Sequence, residues 1–272
     1  MTDARSSHAA RFRSLHHAPH RPLLLANAWD VASARLIAAT GAAAIATTSA
    51  GLAWAHGVGD GEGLTRDQVV GAVSRIAASV DLPVTVDIEG GYGADADAVE
   101  QTVFAVVAAG AVGVNIEDGA RSVDETVARI RAARRGAERA GVPVFINART
   151  DVFLTDAVPG ERRLDEAVAR AGHYLAAGAD GVFIPGVADA AIIGSLVEAI
   201  AGPVNVMAGP GSPAVAELAA LGVARISLGS AVAQAAYAVA RRAAHELMTA
   251  GTYSALAGGV DYGELNELSV PR

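Results

Sequence analysis

The chain has 272 residues, 52% hydrophobic and 18% charged, with a formal net charge of −8 and no cysteine. That is ample material for a large core and too little charge for a disordered chain. An acidic balance without a basic cluster argues against nucleic acid as the main partner, and the missing cysteines exclude disulfides, thiolate metal sites and a cysteine nucleophile.

Residues 1–21 carry arginines and histidines but no apolar signal-peptide core. They read as a polar lead-in with a short helix at Ser7–Leu15. Gly, Arg or Asp interrupts every alanine-rich stretch, so no run reaches transmembrane length and no membrane partner is expected. A cytoplasmic location fits the cysteine-free composition.

From Pro22 the pattern becomes regular. Pro22, Pro83, Pro143 and Pro203 each open an apolar run, and proline suits the first residue of a strand because no ladder donor is lost there. Between these runs, Gly41, Gly110, Gly178 and Gly222 each stop a helix just before another short strand. Amphipathic helices are predicted over 30–39, 66–79, 95–109, 122–140, 163–177, 189–200, 213–220 and 231–250. Eight alternating βα units spell an α/β fold, a single (β/α)8 barrel over residues 22–250. The alternative is a doubly wound open sheet, but the first turn, Asn27-Ala28-Trp29-Asp30, has no G-x-G-x-x-G. The tail, 251–272, carries Tyr253, Leu256, Tyr262, Leu265 and Leu268. It is expected to cover a neighbouring subunit in a homo-oligomer (dimer or tetramer) or to pack on its own barrel.

Barrel active sites sit at the C-terminal ends of the strands. There Asp87 and Glu89 share one strand face, as do Asn115 and Glu117, and Asn147, Arg149 and Asp151. Carboxylates gather on the third and fourth strands, and a cation lies on the fifth. Converging carboxylates repel, and a divalent cation resolves the repulsion. Oxygen-only ligands favour Mg²⁺, with Mn²⁺ as a substitute. The bland alternative is that each carboxylate caps a helix or pairs with an arginine. The glycine-rich stretch 54–63 suits a gating loop, with Asp60 as a further carboxylate near the metal, or a solvated turn. Tyr92, His56 and Asp118 are candidates for moving protons. Tyr92 comes first because it adjoins the metal-binding turn. Asn205, at the end of its strand, joins the substrate-binding candidates.

Thr48-Ser49-Ala50-Gly51, Asp60, Asp87-Ile88-Glu89-Gly90-Gly91-Tyr92-Gly93, Asn115-Ile116-Glu117-Asp118 and Asn147-Ala148-Arg149 together resemble, in order and spacing, the isocitrate lyase/phosphoenolpyruvate mutase superfamily. The resemblance implies a (β/α)8 barrel that often exchanges its last helices between subunits. It implies Mg²⁺ bound directly by Asp87 and mostly through water by Asp60, Glu89 and Glu117. It also implies a 2-oxo acid substrate gripped by Arg149, with backbone amides near Ser49, Ala50 and Gly51 on its carboxylate or oxo group. Family lyases carry a long lid with a K-[KR]-C-G-H segment after the I-E-D element. Here Ile116-Glu117-Asp118-Gly119 runs almost at once into a helix, which argues against (methyl)isocitrate lyase activity. The expected function is a Mg²⁺-dependent lyase that breaks a carbon–carbon bond next to the oxo group of a small anionic 2-oxo acid, by cleavage or decarboxylation. The alternatives are a P–C bond mutase or hydrolase of the phosphonopyruvate type, and a catalytically silent 2-oxo acid binder.

Overall fold

The prolines and glycines punctuate the chain where the pattern placed them. A computed structural model describes residues 2–270; Met1, at the head of the lead-in, and 271–272, at the end of the tail, lie outside the described residues. The strands are β1 (Leu23–Leu25), β2 (Asn27–Ala28), β3 (Ile45–Thr47), β4 (Val84–Asp87), β5 (Gly113–Glu117), β6 (Phe145–Arg149), β7 (Gly181–Ile184), β8 (Val204–Met207) and β9 (Arg225–Ser227). All pair in parallel, in the order β1-β9-β8-β7-β6-β5-β4-β3-β2. Because β1 and β2 are two halves of one strand interrupted at Ala26, this order closes an eight-stranded barrel. Leu23–Leu25 pairs with β9 and Asn27–Ala28 with β3. The Asn27 side chain stitches the seam: its Nδ2 donates to the Thr47 carbonyl at 2.9 Å, and its Oδ1 accepts from the Leu228 amide at 3.0 Å.

The outer layer consists of α2 (Val31–Ala39), α4 (Arg66–Ser79), α5 (Ala96–Ala108), α6 (Val123–Ala140), α7 (Arg163–Ala176), α8 (Ala190–Ala199), α9 (Val215–Ala220) and α10 (Ala231–Thr249). Each lies within about two residues of its predicted span. Asp30, Thr65, Asp95, Ser122 and Asp189 cap their helices through side-chain oxygens, and Gly141 closes α6 in a left-handed conformation at φ 68°. These signals are local, which is why the boundaries were readable. A further helix, α3 (Ser49–Ala55), follows β3 directly, with Thr48 as its cap.

The lead-in needs correction. Its helix, α1 (Thr2–Leu15), starts earlier than expected, and its apolar residues Ala9 and Phe12 are buried. Phe12 meets Phe145 edge-on at 5.9 Å, and His16 stacks on Phe145 at 3.8 Å, so the segment plugs the base of the barrel. Gly113 permits this contact, because a Cβ there would lie 2.6 Å from the Phe12 ring. Burial, with help from the nearby Arg225 charge, pulls His16 down to about 3, leaving a neutral imidazole.

The end of the chain is organised differently. Of the 19 residues in α10, only Ala233 is buried, and Tyr237, Val239, Leu247 and Met248 are exposed. Beyond it, α11 (Tyr262–Ser269) returns to α2, where Arg35 Nη1 donates to the Leu268 carbonyl at 2.9 Å. Tyr253, Leu256 and Tyr262 stay exposed. No helix among the described residues is long and apolar enough to cross a membrane.

Candidate functional site

The strand registers bring the predicted residues together at one mouth. Asp87 is paired with Asn115 and Asn115 with Asn147, while Glu117 is paired with Arg149. One face of these strands is apolar and packs under the helices, so the alternate polar residues all face the barrel interior.

Arg149 is the centre of charge. Its Nη1 lies 2.6 Å from Glu117 Oε2, its Nε donates to Asp151 Oδ1 at 2.6 Å and its Nη2 to Asp151 Oδ2 at 3.1 Å. Ser49, at the start of α3, faces Asp87, with Oγ at 3.0 Å and the amide at 3.5 Å from Oδ2. Ala50 supplies the next amide. The Gly51 amide is turned to the Thr48 hydroxyl as part of the helix cap, so it has less to offer a ligand than expected.

Glu89 is buried and held from two sides. The Tyr92 hydroxyl donates to its Oε1 at 2.8 Å, and the Glu62 amide donates to its Oε2. Both Glu89 (φ 49°) and Tyr92 (φ 51°) adopt the left-handed backbone region that side chains rarely enter. The hydrogen bond between them locks this turn. Burial and the neighbouring carboxylates push the Tyr92 phenol up, and its proton is already committed to Glu89. Tyr92 therefore fits a residue that holds Glu89 better than one that moves protons.

The mouth carries an excess of negative charge. Burial raises Glu117; Arg149 opposes this, and Asp87, Asp151 and Glu89 push it further up. Glu89 is raised by burial first, against its Tyr92 and Glu62 hydrogen bonds and with the charges of Asp87 and Asp60. Asp151 is likewise raised by burial, with Arg149 opposing. The expected 54–63 loop begins only after α3, at His56, and on it Asp60 sits exposed, close enough for its charge to bear on Glu89 and Tyr92. Among the described residues, no three carboxylate or imidazole groups close into a direct metal cage. One direct carboxylate with others a water away fits both observations, since repulsion persists while no cage forms.

Three residues take parts the sequence did not assign. Asn205 lies beneath the mouth: its Oδ1 accepts from Asn147, and its Nδ2 contacts the Val206 and Arg225 carbonyls and Ser227 Oγ. It is a strut of the barrel interior, with both ends of its side-chain amide already bonded within the barrel. Asp118 is completely buried and accepts from Arg170, from the Tyr174 hydroxyl and from the Asp151 amide, so it carries no free proton-moving function. Among the described residues His56 has no partner at the site, and its ring contacts the Leu52 carbonyl of the helix it ends. Glu62, Arg121 and Arg225 escaped the sequence reading. Arg225 is buried inside the barrel, donating from Nη2 to Asn115 at 3.2 Å, and its only sequence signal was a charge within an otherwise apolar strand.

Comparison with known proteins agrees with this architecture. The profile of the phosphoenolpyruvate phosphomutase family matches residues 12–248. The uncharacterized protein Rv1998c of Mycobacterium tuberculosis (strain H37Rv) is 36% identical over 257 residues, 93% of this chain and 94% of that one. An oxaloacetate decarboxylase of Paraburkholderia xenovorans (strain LB400) is 31% identical over 207 residues, 70% of this chain and 65% of its own length. A crystal structure from Burkholderia cenocepacia J2315, described only provisionally as a lyase/mutase, superposes with a TM-score of 0.90 at 37% identity, covering 99% of this chain and 98% of that one. With a closed parallel barrel, an acidic mouth on its third and fourth strands and a family profile spanning the whole barrel, the chain belongs to the phosphoenolpyruvate phosphomutase family of the isocitrate lyase/phosphoenolpyruvate mutase superfamily.

Proposed function

We propose that this protein is a divalent-metal-dependent lyase that acts on a small 2-oxo acid and breaks the bond next to its oxo group. The observation that carries the reading is Arg149. Three of its N–H groups are committed to Glu117 and Asp151, which leaves two of the five guanidinium donors for a ligand. A planar pair of donors fixed at a barrel mouth suits the anionic end of a small acid.

Asp87 would hold the metal directly, and Asp60, Glu89 and Glu117 through water, in keeping with the way Mg²⁺ retains part of its hydration. When bound, Mg²⁺ or Mn²⁺ supplies Lewis-acid stabilisation for negative charge developing on the substrate oxo oxygen. The chain's own residues do the rest. Arg149 fixes one end of the substrate, the amides of Ser49 and Ala50 face the other, and Tyr92 keeps Glu89 in place. Loss of carbon dioxide or of a carbonyl fragment would leave the bonding electron pair as the enolate of the remaining 2-oxo acid. The oxaloacetate decarboxylase relative supports this choice. The phosphomutase profile supports P–C bond chemistry as the second reading.

The test is a product assay with oxaloacetate, further 2-oxo diacids and phosphonopyruvate, with Mg²⁺ or Mn²⁺ present. Excess chelator is expected to abolish turnover and ligand-induced thermal stabilisation, and added metal to restore both. Asp87→Ala is expected to lose more than roughly 100-fold in metal affinity, beyond what an outer-sphere partner contributes. Undiminished ligand binding in chelator would remove the metal from the reading. Thermal stabilisation without any product would leave a silent binder.

The exposed apolar side chains of α10 and the tail support a homo-oligomer in which this end of the chain covers a neighbour. Light scattering is expected to give a dimer or tetramer, and deletion after Gly251 to lower that mass. A truncated chain of unchanged assembly would place the tail on its own barrel, beside α2.

A further inference from the structure

The loop between β5 and α6 is short, and the cover on that side of the mouth comes from the glycine-rich segment 57–63. Within it, Glu62 stands at φ 59° next to Gly61 at φ 98°. It touches the Glu89–Tyr92 turn at two points and Arg121 at a third. Its amide donates to the Glu89 carboxylate, its Oε1 accepts from the Tyr92 amide at 3.0 Å, and its Oε2 accepts from Arg121 Nη2 at 2.9 Å.

Arg121 reaches this position from the short loop by lying over Gly90. A Cβ at Gly90 would stand 2.3 Å from Arg121 Nη1, so the guanidinium occupies the space a side chain there would take. The turn itself is pinned independently. Arg129, buried, donates to the carbonyls of Gly90 and Gly93 from Nη1 and to that of Ala94 from Nη2, at 2.8–3.0 Å. The turn is therefore the fixed partner, and the segment with Gly57, Gly59, Gly61 and Gly63 is the one that can move. A cleft of about 630 Å³ opens beside the pair, lined by Glu62, Thr65, Tyr92, Arg121, Glu125 and Arg129. With 22% and 31% of the two side chains exposed to water, the Arg121–Glu62 ion pair is weak enough to open.

We propose that the Glu62–Arg121 pair is a latch that holds the 57–63 segment down on the turn, making Glu62 and Arg121 positioning residues for Glu89 and Tyr92. The effect on catalysis rests on the lyase reading above; the latch itself does not.

Amide hydrogen exchange reads the latch directly. In Arg121→Ala the amides of Glu62 and Tyr92, both of which end in this contact, are expected to exchange at least about tenfold faster at an unchanged melting temperature. Arg121→Lys, which keeps the charge, is expected to restore most of the protection. With a substrate in hand, Arg121→Ala is expected to lower kcat about tenfold with little change in KM, and the lysine variant to recover it. If Arg121→Ala does not fold, Glu62→Gln spares the Tyr92 contact and weakens only the charge pair, and amide 62 is expected to exchange faster. Faster exchange in a protein that turns over no 2-oxo acid upholds the latch and removes the lyase reading. Unchanged exchange at both amides overturns the latch, whatever the reaction proves to be.

Discussion

Arg149→Lys is expected to lower kcat/KM toward a 2-oxo acid by roughly 30- to 1000-fold, about 2–4 kcal/mol of transition-state stabilisation. Lysine keeps the charge but is a single point donor. It cannot span both Asp151 oxygens, reach Glu117 and still present two N–H groups to a substrate. The resemblance implies that Arg149 grips the substrate, a role that by itself would leave the melting temperature intact on replacement. The ion pairs change that expectation, because Glu117 and Asp151 are already raised by burial and lose part of the cation that opposes it. The melting temperature is therefore expected to fall together with activity. Steady-state kinetics and a thermal melt on the same preparation separate the two effects. A fall in melting temperature with ligand affinity retained would make Arg149 a structural residue and end the site assignment on β6.

Asp118→Ala is expected to cost about 3–5 kcal/mol of stability, the range for removing one partner of a buried charged pair. Its carboxylate accepts from Arg170 at 2.8 Å and Tyr174 at 2.9 Å on one oxygen, and from the Asp151 amide at 2.9 Å on the other. Removal strands three donors in a place water does not reach, and frees the backbone that aims Asp151 at Arg149. Urea denaturation should show a lower midpoint at an unchanged slope. Asp118→Asn, which retains an acceptor, should lose less. A loss under about 1 kcal/mol for the alanine variant would mean that the three donors find other partners.

The fold was legible because its signals are local and repeated. A proline at a strand start, a glycine at a helix end and an acidic or hydroxyl cap each act within a few residues, and the barrel repeats them around its ring. The mouth was legible for a related reason: two-residue spacing on a strand fixes a shared face, so Asp87, Glu117 and Arg149 could be grouped before any contact was known. What was not legible depends on register and on distance. Asn205 has the same sequence setting as a mouth residue, and only its bonds to Asn147, the Arg225 carbonyl and Ser227 mark it as a strut of the interior. Asp118 looks like a free acid next to Glu117, yet it turns the other way, into the gap between α6 and α7. Phe12 carries no hint that the space it fills is left by Gly113, about a hundred residues further on. Glu62 and Arg121 belong to different loops, and no spacing rule connects them.

The seam at Ala26 bears on the order in which the molecule assembles. Most neighbouring strands are joined by a single helix and meet early, because little chain must be closed to bring them together. The pairing of Leu23–Leu25 with Arg225–Ser227 joins segments from opposite ends of the sequence. It can form only after the intervening units are in place, or at a large entropic cost. The buried core divides along the same line, with one cluster running from Ala9 to Ala179 and another from Val152 to Ile226. Folding should thus proceed from a larger and a smaller part of the ring, and closing it is the late event. At that moment the Asn27 amide, bonded to the Thr47 carbonyl on one side and to the Leu228 amide on the other, works as the clasp.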